Sequence, residues 1–144
     1  MKWLYFILVL WIGKFGNVLC KIFLKSVTMI SGLVEVKLQK NFVKYFRNID
    51  YDKVIFITGT NGKSTTTNLV SHTVKMAGKE VATNTEGANM MSGVATTLIK
   101  NSSLFGKFNK EFLILEIDER SLRYIFKVLP AKHLFITNLP TDQV

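Results

Sequence analysis

The fold class predicted from the sequence is α/β, with helices on both faces of a parallel sheet and a further helix at the N-terminus. From residue 54 onward, short runs rich in β-branched and aromatic residues alternate with longer segments of helical pattern. A glycine-containing turn joins the first of these runs to the first helical segment. Hydrophobic residues make up 48% of the 144 residues, which is ordinary for a globular chain of one domain.

The N-terminal helix is predicted from an unbroken apolar run, Trp3–Ile12, which lies between Lys2 and Lys14. Ten apolar residues are too few for a helix that crosses a bilayer, which needs about 20. Lys14, Lys21 and Lys25 share one helix face, so we expect an amphipathic helix with its lysines among anionic lipid headgroups. Two alternatives are a helix that packs on the fold or on a partner protein, and an export signal or short membrane span.

The charge and the single cysteine narrow the class of protein further. The net charge is +9, of which residues 1–50 carry +6 and residues 51–144 carry +3. The N-terminal lysines alternate with bulky aliphatic residues and form no dense basic stripe, which argues against nucleic acid as a partner. One cysteine, Cys20, excludes an intrachain disulfide framework and a multi-cysteine metal site. We expect residues 1–48 to be a basic, apolar, membrane-proximal segment and residues 49–144 to be the α/β domain.

The first half of that domain contains the clearest signals. Val54–Thr58 is predicted to be a buried strand, and Gly59–Gly62 a turn. Lys63–Ala77 is predicted to be a helix, because apolar residues recur on one face and Gly78 stands where a helix commonly ends.

The remaining predicted elements continue the alternation of strands and helices. They are, in chain order, a strand at Val81–Thr83, a helix at Asn89–Lys100, a loop at Asn101–Lys110, a strand at Phe112–Leu115, a helix at Glu119–Val128 that ends before Pro130, and a strand at Leu134–Thr137.

A phosphate-binding loop is predicted directly after the first strand. Glycines allow the backbone to wrap closely around phosphates, and the helix N-terminus adds partial positive charge. Lys63 can reach the β- and γ-phosphates of ATP, and the Ser64 hydroxyl can bind Mg²⁺. The loop is the shorter pattern G-x-x-G-K-S, because Ile57 stands where the standard P-loop has its first glycine. The predicted ATP-binding residues are Gly59, Thr60, Asn61, Gly62, Lys63, Ser64 and Thr65.

An acidic partner for Mg²⁺ is predicted at the end of a neighbouring strand, since this cation prefers oxygen ligands. Glu116 and Asp118 follow Phe112–Leu115, and strand alternation puts both on one side. Glu116 is our candidate metal ligand. The alternative is an acidic loop that caps the next helix, for which Asp118 or Glu119 is well placed.

Several stretches resemble the Mur ligases, a family that includes peptidoglycan amino-acid ligases and folylpolyglutamate synthase. Thr58–Thr65 resembles the ATP loop of that family, and Ile136–Gln143 resembles its threonine–asparagine strand end, with Gln143 where histidine is usual. Thr85–Met90 is similar to the MurT branch of lipid II isoglutaminyl synthases. Ser31–Leu38 also resembles a segment of that branch, although proline commonly stands where Ser31 is here.

The resemblance implies an ATP-dependent, amide-forming ligase that takes part in cell-wall biogenesis and in maintaining cell shape. The α-carboxylate of D-glutamate in the lipid II stem peptide would be phosphorylated and then amidated with ammonia from a GatD-like glutaminase subunit. It implies catalytic roles for Lys63 and Glu116, Mg²⁺ binding by Ser64 and Glu116, and positions near the substrate for Asn89 and Asn138. The enzyme would work in the cytoplasm at the inner face of the cell membrane.

The resemblance also implies parts that this sequence lacks, namely the rest of the central domain, a C-terminal domain and the four-cysteine zinc ribbon of the MurT branch. We therefore expect a truncated ATP-binding domain that is inactive alone and holds no zinc. Two alternatives remain: another Mur-fold ligase of the folylpolyglutamate or polyglutamate type, and a non-catalytic nucleotide-binding remnant.

Overall fold

The strands form one parallel sheet in the computed structural model, which describes residues 2–23, 41–84 and 88–138. The sheet order is β2-β3-β1-β4, and each neighbouring pair is parallel. The four strands are β1 (Val54–Thr58), β2 (Val81–Thr83), β3 (Phe112–Glu116) and β4 (His133–Ile136). An all-parallel sheet of this kind needs helical crossovers between its strands, as the sequence pattern predicted.

Two helices pack on opposite faces of β1. Helix α2 (Lys63–Met76) contributes Val70 and Val74 to a core built on Ile55, Ile57 and Ile114. On the other face, the ring of Phe56 lies 6.2 Å from the ring of Phe126, edge to face, in the helix Glu119–Val128. All five residues of β1 are buried, as expected for a central parallel strand.

The outer strand β4 is different. All four of its residues are exposed, and Leu134, Phe135 and Ile136 keep 43%, 48% and 51% of their surface accessible. Helices therefore pack on both faces of the sheet at β1, as predicted, whereas the residues of β4 stay exposed.

The chain divides into two compact units. The second unit, Asp50–Met90 with Lys110–Val144, contains the sheet. The first unit, Met1–Ile49 with Met91–Asn109, contains α1 (Lys2–Phe23), a 3₁₀ turn at Phe42–Tyr45 and α3 (Met91–Lys100). The association of α3 with N-terminal residues was not predicted from the sequence.

Aromatic packing is the basis of the first unit. The buried ring of Phe6 lies 5.0 Å from that of Phe42, 5.5 Å from that of Tyr45 and 5.3 Å from that of Phe46. Such ring pairs contribute about 0.5–1.5 kcal/mol each beyond the area they bury. They join α1 to the 3₁₀ turn, so one face of α1 is part of the core of this unit.

The prediction of an N-terminal helix is confirmed, while of the three lysines on its predicted basic face only the side chain of Lys14 lies within the described residues. Both faces of α1 are apolar over residues 2–18, since buried Phe6 and Leu10 lie opposite exposed Leu8 and Phe15. The Lys14 ammonium donates hydrogen bonds to the Ile99 and Ser102 carbonyls at 2.7 and 2.6 Å. None of the helices in the described ranges is both long and apolar enough to cross a membrane.

Most element boundaries agree with the sequence. The strands β1 and β2 and the helix Glu119–Val128, named α4, begin and end where predicted. Helix α2 ends one residue early, at Met76, while β3 extends to Glu116 and β4 runs one residue ahead of its predicted span. Helix α3 begins at Met91 rather than Asn89, because the Asn89 carbonyl accepts a hydrogen bond from the Asp118 amide. The motifs at Ser31–Leu38, Thr85–Gly87 and Leu139–Gln143 lie outside the described residues.

Candidate active site

The predicted phosphate loop connects β1 to α2 at the carboxyl edge of the sheet. Gly59 has a φ of 127° and Gly62 a φ of 79°, both in the region that disfavours side chains. Gly62 is the N-cap residue of α2, and its carbonyl accepts the first helical hydrogen bond from Thr66 at 2.9 Å. The loop therefore leads directly into a helix N-terminus, where backbone amides and the helix dipole favour an anion.

The end of β4 holds this loop from the side. The Thr137 amide donates to the Thr58 carbonyl at 2.9 Å, and the Thr137 hydroxyl donates to the Asn61 carbonyl at 2.6 Å. The Asn61 amide in turn donates to Oδ1 of Asn138 at 2.9 Å. A Cβ on Gly59 would lie 2.3 Å from Thr137 Oγ1 and 2.8 Å from the Asn138 carbonyl. The structure thus brings Asn138, a predicted substrate-proximal residue, against the predicted phosphate loop.

Lys63, which was predicted to bind phosphates at this loop, lies over the loop. Its ammonium donates hydrogen bonds to the carbonyls of Gly59 and Thr60, the latter at 3.1 Å. Oε1 of Glu119 lies 3.9 Å from the same nitrogen. Only 14% of the Lys63 side chain is exposed, so its positive charge is held at the loop. Thr60, Asn61, Ser64 and Thr65 are exposed.

The two predicted metal ligands meet beside the loop. The Ser64 hydroxyl donates to Oε2 of Glu116 at 2.7 Å, and Glu116 is 5% exposed. Because Ile57 pairs with Glu116 across β1 and β3, this carboxylate lies near the end of the strand that precedes the loop.

The donor set at this position fits Mg²⁺. A hydroxyl and a carboxylate are hard oxygen donors, and Mg²⁺ commonly takes one or two such ligands, with phosphates and water completing its coordination. No group of three His, Cys, Asp or Glu side chains in the described ranges could hold a metal ion by itself.

Asn84 was missed by the sequence reasoning, although it positions Glu116. Its Nδ2 donates to the Glu116 carbonyl at 2.8 Å, and its Oδ1 accepts from the Glu116 amide at 2.8 Å. The same Nδ2 donates to the Ala88 carbonyl at 2.7 Å, and the residue is 5% exposed. Its location directly after β2, at the carboxyl edge, was the available signal.

The remaining predicted residues lie close to this edge. Asn89 is half-buried, and its carbonyl accepts a hydrogen bond from the Asp118 amide at 2.9 Å. Oδ1 of Asp118 accepts from the Arg120 amide at 2.9 Å and caps α4. The helix-capping alternative is thus observed at Asp118, while Glu116 makes the contact with Ser64.

Comparison with known proteins identifies the family of the chain. Residues 57–143 match the Mur ligase middle domain. The chain is 38% identical over 93 residues to the lipid II isoglutaminyl synthase (glutamine-hydrolyzing) subunit MurT of Staphylococcus aureus strain COL, covering 65% of this chain and 20% of that protein. It is 40% identical over 92 residues to the same subunit of Streptococcus pneumoniae R6, covering 64% and 20%.

A shorter similarity points to another ligase. Over 30 residues the chain is 70% identical to the UDP-N-acetylmuramoylalanine–D-glutamate ligase of Wolbachia pipientis wMel, covering 21% of this chain and 6% of that protein. The chain spans about a fifth of the length of the MurT relatives it matches. Because the middle-domain match extends over more than half of its residues, the chain belongs to the Mur ligase family.

Proposed function

We propose that this chain carries the ATP-binding part of an ATP-dependent, amide-forming ligase of cell-wall synthesis. Its family and its similarity to MurT support a ligase of the cell wall. The observation that supports ATP and Mg²⁺ most directly is the 2.7 Å contact of Ser64 with Glu116, beside a glycine loop that also holds Lys63.

The proposed reaction amidates the α-carboxylate of D-glutamate in the stem peptide of lipid II. A carboxylate oxygen attacks the γ-phosphorus of ATP, ADP leaves, and an acyl phosphate forms. Ammonia then attacks the acyl carbon, and the tetrahedral intermediate expels phosphate to give the amide. The ammonia would come from glutamine hydrolysed by a GatD-like partner, because the matching MurT relatives are described as subunits of a glutamine-hydrolysing synthase.

The residues of this chain would bind and orient the nucleotide. The Gly59–Gly62 backbone would surround the phosphates, and Lys63 would exchange its carbonyl partners for β- and γ-phosphate oxygens. Ser64 and Glu116 would hold Mg²⁺, which when bound offsets the negative charge of the phosphates. Asn89 and Asn138 would lie near the transferred phosphate and the substrate.

A second candidate is another Mur ligase activity, which the 30-residue match to a D-glutamate ligase supports. A folylpolyglutamate-type ligase or a non-catalytic nucleotide-binding remnant would share the same loop. The product separates these functions, because only the proposed one converts lipid II, glutamine and ATP into amidated lipid II. We further propose that the protein works at the inner face of the cell membrane, where a lipid-linked substrate is accessible.

Replacing Glu116 tests the proposed site. Glu116→Gln keeps the size of this buried side chain but removes its negative charge. In the unaltered chain, we expect Mg²⁺ to tighten ATP binding by about tenfold, because the negatively charged carboxylate stabilises the cation that binds with the nucleotide. In the Glu116→Gln chain, ATP should bind with nearly the same affinity with and without Mg²⁺. Isothermal titration calorimetry with ATP, in Mg²⁺ and in EDTA, measures both quantities.

The matched control is Glu111→Gln, just before the other end of β3, where the exposed carboxylate of Glu111 pairs with Lys79 at 3.4 Å. This variant should retain the full effect of Mg²⁺. An unchanged Mg²⁺ dependence in Glu116→Gln would contradict the metal role, and absence of ATP binding in the unaltered chain would contradict the proposed function.

A further inference from the structure

One face of α1 exposes an unusual number of large apolar side chains. They are spaced three and four residues apart, so they form a single stripe along the helix. Each keeps between 48% and 65% of its surface accessible. We call this the apolar stripe, and its residues are Leu4, Leu8, Trp11, Ile12, Phe15 and Val18.

The stripe is not the side of α1 that forms the core of its unit. That role belongs to Phe6 and Leu10, which are fully buried on the opposite side of the helix. A helix that is already packed on one face gains nothing for its own unit from a second apolar face. Contiguous exposed apolar patches mark interaction surfaces, whereas apolar side chains that are exposed singly are common and need no explanation.

A neighbouring loop extends the same surface. Leu104 and Phe105 are 56% and 55% exposed, and the indole nitrogen of Trp11 donates to the Leu104 carbonyl at 2.9 Å. Stripe residues and Leu104 line an open groove of about 850 Å³. The hydrogen bond fixes the loop beside the helix, so both elements present their apolar side chains together.

The charge of the first unit indicates what covers this surface. The unit contains ten Lys or Arg residues against one Asp or Glu, whereas the second unit contains nine of each. The entire net charge of +9 therefore belongs to the unit that bears the apolar stripe. In its described ranges, 2–23, 41–49 and 91–109, this unit contains no acidic residue.

We propose that the apolar stripe, together with Leu104 and Phe105, docks on the surface of an anionic lipid bilayer. Apolar side chains at the headgroup boundary and lysines that attract anionic lipids are the two contributions that hold an interfacial helix. A second copy of the chain is a poorer occupant, because two strongly basic units would repel each other. The inference rests on the membrane location proposed above and is independent of the ligase chemistry.

The proposed docking places α1 parallel to the membrane plane. Only the exposed face of α1 can enter the headgroup boundary, because Phe6 and Leu10 on the opposite face are packed in the core of the unit. Both tryptophans of the chain, Trp3 and Trp11, lie on α1 and are about half exposed. Tryptophan favours the boundary between headgroups and acyl chains, and its fluorescence shifts to the blue when water leaves the indole.

The test measures binding of the complete 144-residue chain to vesicles by co-sedimentation and by tryptophan fluorescence. Vesicles of equal parts phosphatidylglycerol and phosphatidylcholine should bind the chain and shift its emission to the blue. Binding should weaken by at least about tenfold on pure phosphatidylcholine, or when salt is raised from about 0.1 to 0.5 M. The Leu8→Glu/Phe15→Glu variant should bind the anionic vesicles at least about tenfold more weakly.

The matched control is Leu69→Glu/Met76→Glu, which changes two residues of α2 that are 66% and 76% exposed and should leave vesicle binding unchanged. The proposal would be overturned if the stripe variant bound vesicles as tightly as the unaltered chain, or if the unaltered chain bound both lipid mixtures equally. It would also be overturned if the unaltered chain bound no vesicles but formed a dimer, and the stripe substitutions abolished that dimer.

Two features keep the test decisive. The lipid and salt comparisons use the unaltered chain, so they hold even where the stripe variant does not fold. The Mg²⁺-dependent binding of ATP is measured on the same samples. Vesicle binding without ATP binding would count against the proposed ATP site only, and ATP binding without vesicle binding against the apolar stripe only.

Discussion

At the scale of single residues, Gly59 shows how closely the proposed ATP loop and the end of β4 are packed. We expect Gly59→Ala to weaken ATP binding by at least about tenfold. Its φ of 127° disfavours any side chain, and the new methyl group would overlap Thr137 Oγ1 and the Asn138 backbone, which cannot move independently of β4. Titration calorimetry with ATP and Mg²⁺ measures the loss.

Gly78→Ala separates this packing effect from backbone strain. Gly78 has a φ of 76°, but nothing lies within 4 Å of a Cβ built there. We expect this variant to lose about 1 kcal/mol of unfolding free energy and to bind ATP normally. Equal ATP affinities in the two alanine variants would show that the contact of Gly59 with Thr137 and Asn138 has no role in nucleotide binding.

The sequence identified the residues that carry a recognisable chemical pattern but not those that position them. Lys63, Ser64 and Glu116 were predicted because a glycine turn and a strand end restrict where a lysine, a hydroxyl and a carboxylate can meet. Asn84 was not predicted, because its role depends on the pairing of β2 with β3, which brings it beside Glu116. Such a contact follows from strand order, which local patterns do not determine.

At the scale of elements, Lys14 stabilises the C-terminus of α3. Its ammonium donates to the Ile99 and Ser102 carbonyls. Carbonyls at the end of a helix have no backbone amide of a following turn to accept from, so a cation there satisfies them. We expect Lys14→Met, which keeps an unbranched apolar stem, to lower the unfolding free energy by about 1–3 kcal/mol. Urea unfolding followed by circular dichroism measures the change.

Lys44→Met is the comparison for this prediction, because Lys44 is an exposed residue of the 3₁₀ turn in the same unit. Its effect should stay within about 0.5 kcal/mol. If both variants unfold at the same urea concentration, the bonds of Lys14 to α3 contribute nothing to stability.

Element types were predicted well because their signals are local. β1 and α4 have clear periodicity and clear ends, with the glycine turn after β1 and Asp118 and Pro130 around α4. The surface of α1 could not be predicted in the same way. A helix that is apolar on both sides has no sequence periodicity that separates its packed face from its exposed face.

At the scale of the whole molecule, the positive charge is distributed according to the two compact units. The sequence located the excess positive charge in the first fifty residues, and the structure adds residues 91–109, which bring further lysines and no acidic residue to the same unit. The predicted ATP-binding residues all belong to the second unit, whose formal charge is zero. The proposed nucleotide binding and the proposed lipid contact therefore use different units, which makes them separable by mutation.

The last prediction concerns catalysis by the 144 residues alone. We expect the purified chain to bind ATP with Mg²⁺ but to form no amide when it is given lipid II, glutamine and a GatD-like glutaminase. An acyl phosphate must be held within about 3–3.5 Å of its attacking group and protected from water. Next to the proposed ATP loop, however, β4 leaves Leu134, Phe135 and Ile136 exposed. Mass spectrometry of the lipid product tests this directly, and sustained formation of amidated lipid II by the purified chain would show that the described fold already encloses a complete active site.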